Sequence, residues 1–343
     1  MVKMNTNRIN KKIKIFNSPN YKYIFNRITG VFARWGKTKD DDPEFSPIGP
    51  EILDFEVSEI CHGGRGGLCR FCYKNSLPHG SNTSFETFKH IIDRMPTVTQ
   101  IAFGIGDIDG NPDLFEMFEY CLTKDIIPNI TINGERMTPE YYDKLVEYCG
   151  AVAVSHYNDD ACFNAVKELT DRDLKQVNIH QLVSEETYSD CMRLAQKSLT
   201  DERLKNLNAI VFLALKQKGR GVNFHTLSEE KFKKIINFCT ENNISYGADS
   251  CSAHKILNAY KGTEEYDKVL QYVEPCESGL FSAYVNVHGQ FFPCSFSEGV
   301  DGINGIDLTG DFDFKKDVWF SEQTNTWRNN LLKNKRRCPI YNV

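Results

Sequence analysis

From Ile52 onward, short apolar runs alternate with longer stretches in which apolar residues recur every three or four positions. The short runs predict strands at Ile52–Val57, Thr99–Phe103, Pro128–Ile132, Ala151–Ser155, Gln176–Leu182, Ala209–Leu215 and Ile244–Ala248. The amphipathic stretches predict helices at Ser84–Met95, Asp113–Thr123, Thr138–Tyr148, Asp159–Leu169, Glu186–Ser198 and Ser228–Glu241. Start signals such as Thr138-Pro139-Glu140, and Ser228 followed by Glu229 and Glu230, sharpen several of these boundaries. Repeated strand–helix alternation implies an α/β domain with a parallel sheet, because each parallel crossover needs a connecting helix.

The pattern differs at both ends. Residues 1–50 are rich in Lys, Asn and Asp and close on Asp40-Asp41-Asp42-Pro43 and Pro47-Ile48-Gly49-Pro50, which predicts a peripheral extension. After about residue 265 the pattern becomes hairpin-like, with Phe281–Val287 and Gln290–Pro293 flanking His288-Gly289. The expected organisation is an extension over 1–50, a core over 51–250 and a small C-terminal α+β domain over 251–343.

At 343 residues and 41% hydrophobic content the chain can bury a sizeable core. No apolar run is long enough to span a membrane, and the N-terminus lacks the pattern of a signal peptide, so a cytoplasmic location is expected. A net charge of −5 exerts no general pull toward nucleic acid. Lys3, Arg8, Lys11, Lys12 and Lys14 form a local basic cluster, read as a solvated arm. Twelve cysteines are too dilute for a disulfide scaffold, so the question is which of them cluster.

Just after the first strand of the core comes Cys61-His-Gly-Gly-Arg-Gly-Gly-Leu-Cys69-Arg-Phe-Cys72. Three thiolates on a glycine-rich loop can hold three corners of a cubane iron–sulfur cluster and leave one iron open to a ligand. The same spacing with His62 or His79 as fourth ligand would suit a zinc ion, and cysteine spacing alone does not separate these readings.

These cysteines, with aromatic Phe71 before the last, resemble the signature loop of the radical S-adenosylmethionine (SAM) enzymes, although seven residues stand here where that family usually has three. Gly104-Ile105-Gly106-Asp107 resembles the family's glycine-glycine-glutamate turn after the second strand, with Asp107 as acceptor for the SAM ammonium group. Thr131-Ile-Asn133-Gly134, Ser155-His156 and Lys216–Gly221 fall where the family's third, fourth and sixth strands end. The resemblance implies a partial (β/α)6 barrel, a [4Fe-4S] cluster on Cys61, Cys69 and Cys72, and SAM contacts from Gly104, Gly106, Asp107, Asn133 and Ser155.

A second set begins at Cys276, followed after twelve residues by Gly289 and then by Cys294. It resembles the auxiliary-cluster module of radical enzymes that modify peptides, in the short twitch form of the SPASM domain. Cys276, Cys294 and Cys338 would then ligate an auxiliary [4Fe-4S] cluster, with Cys251 as fourth ligand or, alternatively, as an active-site hydrogen-atom donor. Cys121, Cys149, Cys162, Cys191 and Cys239 lie on predicted helices among apolar residues and read as buried hydrophobes, and no histidine is assigned as a ligand.

What the resemblance implies is reductive SAM cleavage followed by hydrogen abstraction from a peptide or protein, a small molecule being the other substrate class. An external electron donor such as flavodoxin or ferredoxin would be required. The competing expectation is a non-catalytic, zinc-stabilised binding protein.

Overall fold

The computed structural model describes residues 12–38, 40–271 and 273–343. Its centre is a run of parallel strands in sequential order: β4 (Ile52–Glu56), β5 (Gln100–Gly104), β6 (Ile127–Ile132), β7 (Ala151–Ser155), β8 (Val177–Val183), β9 (Ala209–Ala214) and β10 (Tyr246–Ala248). Each is joined to the next through one of six helices, α1 (Phe85–Asp93), α2 (Leu114–Thr123), α3 (Pro139–Tyr148), α4 (Asp159–Asp171), α5 (Tyr188–Lys197) and α6 (Glu229–Glu241). Each predicted strand and helix of the core is present, with boundaries shifted by a few residues.

Alternation along the strands explains the layering. Leu53 and Phe55 of β4, Ile101 and Phe103 of β5, and Val152 and Val154 of β7 point outward into one continuous core with the helices' apolar faces, such as Phe88, Phe118, Leu145 and Phe163. Asp54, Ala102, Gly104, Thr131 and Ser155 therefore lie on the inner face. Side-chain caps start the helices where the sequence places them: Ser84, Thr138, Asn158 and Ser228 each accept from the backbone N–H three residues on.

The sheet does not close on itself. β10 forms one edge, and on the far side β4 pairs in parallel register with β11 (Ser282–Val285), followed by antiparallel β12 (Gln290–Phe292) and β13 (Ile306–Asp307). The C-terminal hairpin thus extends the core's own sheet instead of standing beside it as a separate layer. Beyond the six core helices lie α7 (Ala253–Tyr260), α8 (Tyr266–Leu270) and α9 (Glu322–Lys333).

The N-terminal region departs from the expected extension. β1 (Ile13–Asn17), β2 (Lys22–Asn26) and β3 (Phe32–Trp35) form an antiparallel sheet. Its face of Tyr21, Tyr23 and Phe25 is buried against Ile127, Leu280, Phe281 and Leu331. The polar composition concealed a period-two pattern whose partners lie far along the chain. Arg34 bonds Glu51 at 3.1 Å and also reaches Glu277, which ties this sheet to the strand entering β4 and to the C-terminal segment. Lys14 is part of the packing, donating to the Val98 carbonyl at 3.0 Å, and burial lowers its pKa to about 8. Lys3, Arg8 and Lys11 of the expected basic arm lie outside the described residues.

Candidate cluster and SAM site

The loop between β4 and α1 carries Cys61, Cys69 and Cys72 at the C-terminal ends of the parallel strands, where α/β folds place their ligands. It turns through Gly63 (φ +73°) and Gly67 (φ +86°), left-handed conformations that glycine adopts without strain. The Gly63 N–H points at Cys61 Sγ at 3.4 Å, and the Phe71 N–H at Cys69 Sγ. Burial pushes the Cys61 and Cys69 thiols above the ordinary thiol value; these N–H groups act in the opposite direction, and nearby Cys72 adds to the rise. Thiolates on one loop that sense each other and receive backbone N–H donors match the donor set of an iron–sulfur cluster.

Three strand ends grip this loop, those of the adjacent β5 and β6 and, from across the sheet, that of β9. From β5, the buried Asp107 carboxylate accepts from the His62 backbone N–H at 2.8 Å and meets the His62 ring Nδ1 at 2.7 Å. From β6, Asn133 Nδ2 donates to the other Asp107 oxygen at 3.0 Å and to the Gly106 carbonyl at 3.1 Å. From β9, Arg220 donates through Nε to the Cys69 carbonyl at 2.7 Å and through its backbone N–H to the Cys72 carbonyl at 3.0 Å. Gly219 (φ +59°) lies so close that a Cβ there would come within 2.5 Å of the Cys72 carbonyl. The Lys216–Gly221 segment therefore holds the backbone of the cysteine loop.

Of the residues expected to contact SAM, Gly104 is exposed on the inner face and Ser155 lies at the end of β7, both accessible to a ligand. Asp107 and Asn133 are occupied with each other and with His62, which places them beneath the cysteine loop as its supports. Tyr157, two residues beyond Ser155, was not singled out from the sequence. Its side chain is largely exposed, 56% accessible, at the rim beside Ser155 and Cys69. Only its position just past a strand end could have signalled it.

The second cysteine set also converges. The thiols of Cys276 and Cys294 each raise the pKa of Cys251, and Cys338 does the same to Cys276. Cys294 is pushed up to about 12, chiefly by burial. N–H groups again face the sulfurs: Phe296 N to Cys294 Sγ at 3.4 Å and Tyr341 N to Cys338 Sγ at 3.3 Å. Arg336 closes the geometry by donating to the Cys276 carbonyl at 3.0 Å and the Pro275 carbonyl at 2.7 Å, which brings the chain end carrying Cys338 back to Cys276. Cys121, Cys149, Cys162, Cys191 and Cys239 are instead fully buried among apolar side chains.

A polar network joins the two sets. Lys74, two residues after Cys72, meets Glu56 at 2.9 Å and the Tyr284 hydroxyl at 2.8 Å, and pairs with Glu298. Tyr73 packs against Phe296 with ring centroids 4.5 Å apart and the planes tilted by 37°. Lys218 donates to the Glu298 carbonyl at 2.6 Å. Among the described residues no three His, Cys, Asp or Glu side chains converge on a point that would hold a single metal ion.

No family model matches the chain. The curated AdoMet-dependent heme synthase of Methanosarcina barkeri is 24% identical over 276 residues, covering 72% of this chain and 77% of that protein. Streptococcus suis SuiB superimposes with a TM-score of 0.70 over 94% of this chain and 90% of its own, at 12% identity. SuiB bound to S-adenosylmethionine gives 0.69, at 12% identity over 94% of this chain and 90% of that one. SuiB bound to its precursor peptide SuiA gives 0.70, at 11% identity over 93% and 90%. The chain shares the fold of SuiB over nearly its whole length. The sequence-based expectation of an α/β partial barrel therefore holds. That fold sets the cysteine loop at the C-terminal ends of the parallel strands, and among the described residues no helix is long and apolar enough to cross a membrane.

Proposed function

We propose that this chain is a radical SAM enzyme that cleaves S-adenosylmethionine reductively and abstracts hydrogen from a peptide or protein substrate. The observation that carries the reading is the Cys61–Cys69–Cys72 loop, with backbone N–H groups aimed at its sulfurs and supports from three strand ends. A [4Fe-4S] cluster bound there would leave one iron free to chelate SAM and pass it the electron that releases the 5′-deoxyadenosyl radical.

The protein's own residues do the positioning. Asp107 and Asn133 fix the start of the loop through His62, and Arg220 fixes its end. Gly104 leaves the inner face open, and Ser155 and Tyr157 supply hydroxyls at the rim where the ribose and carboxylate of SAM would lie. Cys251, Cys276, Cys294 and Cys338 are proposed as ligands of an auxiliary [4Fe-4S] cluster in a twitch-like module. A peptide substrate is supported by the likeness to SuiB, which binds the precursor peptide SuiA. The heme synthase relative supports a second substrate class, a tetrapyrrole. An external one-electron donor such as flavodoxin or ferredoxin would supply the electron.

The test is anaerobic reconstitution with iron and sulfide, followed by iron analysis, the visible spectrum and dithionite-dependent formation of 5′-deoxyadenosine. The expected result is about eight irons per chain and SAM cleavage that disappears in a Cys61/Cys69/Cys72→Ala triple variant. A colourless protein that takes up stoichiometric zinc and leaves SAM intact would overturn the reading.

A further inference from the structure

The inner face of the sheet carries several charged side chains, and nearly all are mutually satisfied. Lys216 is buried and paired with Asp249; burial alone would lower its pKa, but Asp249, Cys251 and Cys294 hold it above the ordinary lysine value. Lys74 is shared between Glu56 and Glu298, and Lys218 is spent on the carbonyls of Ser295, Phe296 and Glu298. Asp107 is taken by His62 and Asn133. His180 is kept neutral by burial, which lowers its pKa to about 4.

Asp54 is the exception. It lies mid-strand on β4, between Ala102 of β5 and Tyr284 of β11 in register, facing the concave side. Its side chain is open to the water of that concavity, yet protein surrounds it. Among the described residues no cation or hydrogen-bond donor pairs with it. Its register partner Tyr284 meets Lys74, two residues past Cys72, at 2.8 Å and Glu298, four residues past Cys294, at 3.4 Å, so Asp54 stands beside the network that joins the two cysteine sets. Ala102 and Gly104 on the adjacent strand leave room beside it.

We propose that Asp54 anchors a positively charged group of the substrate, an ammonium or guanidinium, in the concavity between the two cysteine sets. A water-exposed carboxylate on the inner face with no protein cation beside it is free to bond an incoming ammonium or guanidinium, and such a charge-assisted pair is stronger than a hydrogen bond between neutral groups. Every other acidic group described above already has a donor or cation, so an incoming cation meets its unsatisfied partner here. Within the radical SAM reading, on which this inference rests, the anchored group would hold the neighbouring C–H bonds of the substrate between the two cluster sites.

The experiment titrates reconstituted, SAM-loaded protein by calorimetry with four acetylated, amidated tripeptides that carry lysine, arginine, norleucine or glutamate between two glycines. The expected result is binding of the lysine or arginine peptide at least tenfold tighter than the norleucine peptide. That preference should vanish in Asp54→Asn and persist in weakened form in Asp54→Glu. Equal affinity for lysine and norleucine peptides, a preference that survives Asp54→Asn, or no binding of any peptide overturns the proposal. SAM carries an ammonium of its own, so its dissociation constant is measured for wild type and Asp54→Asn; a tenfold weakening would assign the carboxylate to SAM and also overturn the proposal. Dithionite-dependent SAM cleavage without peptide is followed in the same preparations. Its absence counts against the radical SAM reading, while the peptide preference reports on Asp54 separately.

Discussion

His62 and Asp107 are joined twice at one carboxylate oxygen, by the His62 backbone N–H at 2.8 Å and by ring Nδ1 at 2.7 Å. The contact fastens the residue after Cys61 to the end of β5, forty-five residues on. Asn133 holds the other oxygen at 3.0 Å, so one buried carboxylate sets the relative positions of three strand ends. Asp107→Ala strands the Asn133 amide and the His62 N–H together. Hydrogen bonds to a charged group contribute about 1.5–3 kcal/mol each, so the expected loss is about 3 kcal/mol after local relaxation. Urea denaturation reads the stability, and iron content after reconstitution reads the misplaced cysteine loop. Unchanged stability and full iron would show that the contact supports nothing.

Glycine positions around the loop separate sharply by the space they have. A Cβ on Gly106 would lie 2.3 Å from the Ile60 carbonyl oxygen and 2.5 Å from Cys61 Cβ, atoms of the backbone and of the cysteine itself that cannot swing away. At Gly66 nothing lies within 4 Å. Gly106→Ala is expected to displace Cys61 and cut iron incorporation by more than half, whereas Gly66→Ala should load iron as wild type does. Comparing the two variants under one reconstitution protocol distinguishes a crowded wall from a merely flexible loop.

The parts of this architecture that are local were legible in the sequence. β7 spans Ala151–Ser155 as its apolar run predicts, and Ser84, Thr138 and Ser228 cap helices because a cap needs only the next three residues. Tyr21, Tyr23 and Phe25 were not legible as a buried face: they sit among Lys and Asn, and what covers them, Leu280, Phe281 and Leu331, is more than 250 residues away. α9 was missed for the same reason, since Glu322–Lys333 is mostly polar and is held by Thr324, Trp327, Arg328 and Leu331. At the site, the cysteine spacing was visible, but the use of Asp107 and Arg220 depends on which strand ends become neighbours. No local pattern encodes that.

His180 gives a pH signature. Burial lowers its pKa from 6.5 to about 4, against a smaller opposing pull from Asp249. The unfolded chain therefore binds more protons than the folded one between those values, and this contribution to stability is complete above pH 6.5 and lost as pH falls toward 4. The shift corresponds to about 3 kcal/mol at most. Cluster-free protein unfolded in urea at pH 7, 5.5 and 4.5 should lose stability faster than a His180→Asn variant over the same range. Parallel slopes for the two proteins would place the titration elsewhere.

Cys251 decides between two chemistries. As a hydrogen-atom donor it would need only to face the substrate, and its loss would leave both cluster sites intact. Burial raises the Cys251 pKa, Cys276 and Cys294 raise it further, and Lys216 pulls the other way, as a cation near a group of thiolates would. That arrangement suits a ligand. Cys251→Ala is therefore expected to lower iron from about eight to about four per chain and to change the visible spectrum in the same way as Cys294→Ala, with 5′-deoxyadenosine formation retained because the first cysteine loop is untouched. Full iron in Cys251→Ala, with turnover of a bound substrate lost, would instead make Cys251 the donor and leave Cys276, Cys294 and Cys338 to hold the auxiliary cluster without it.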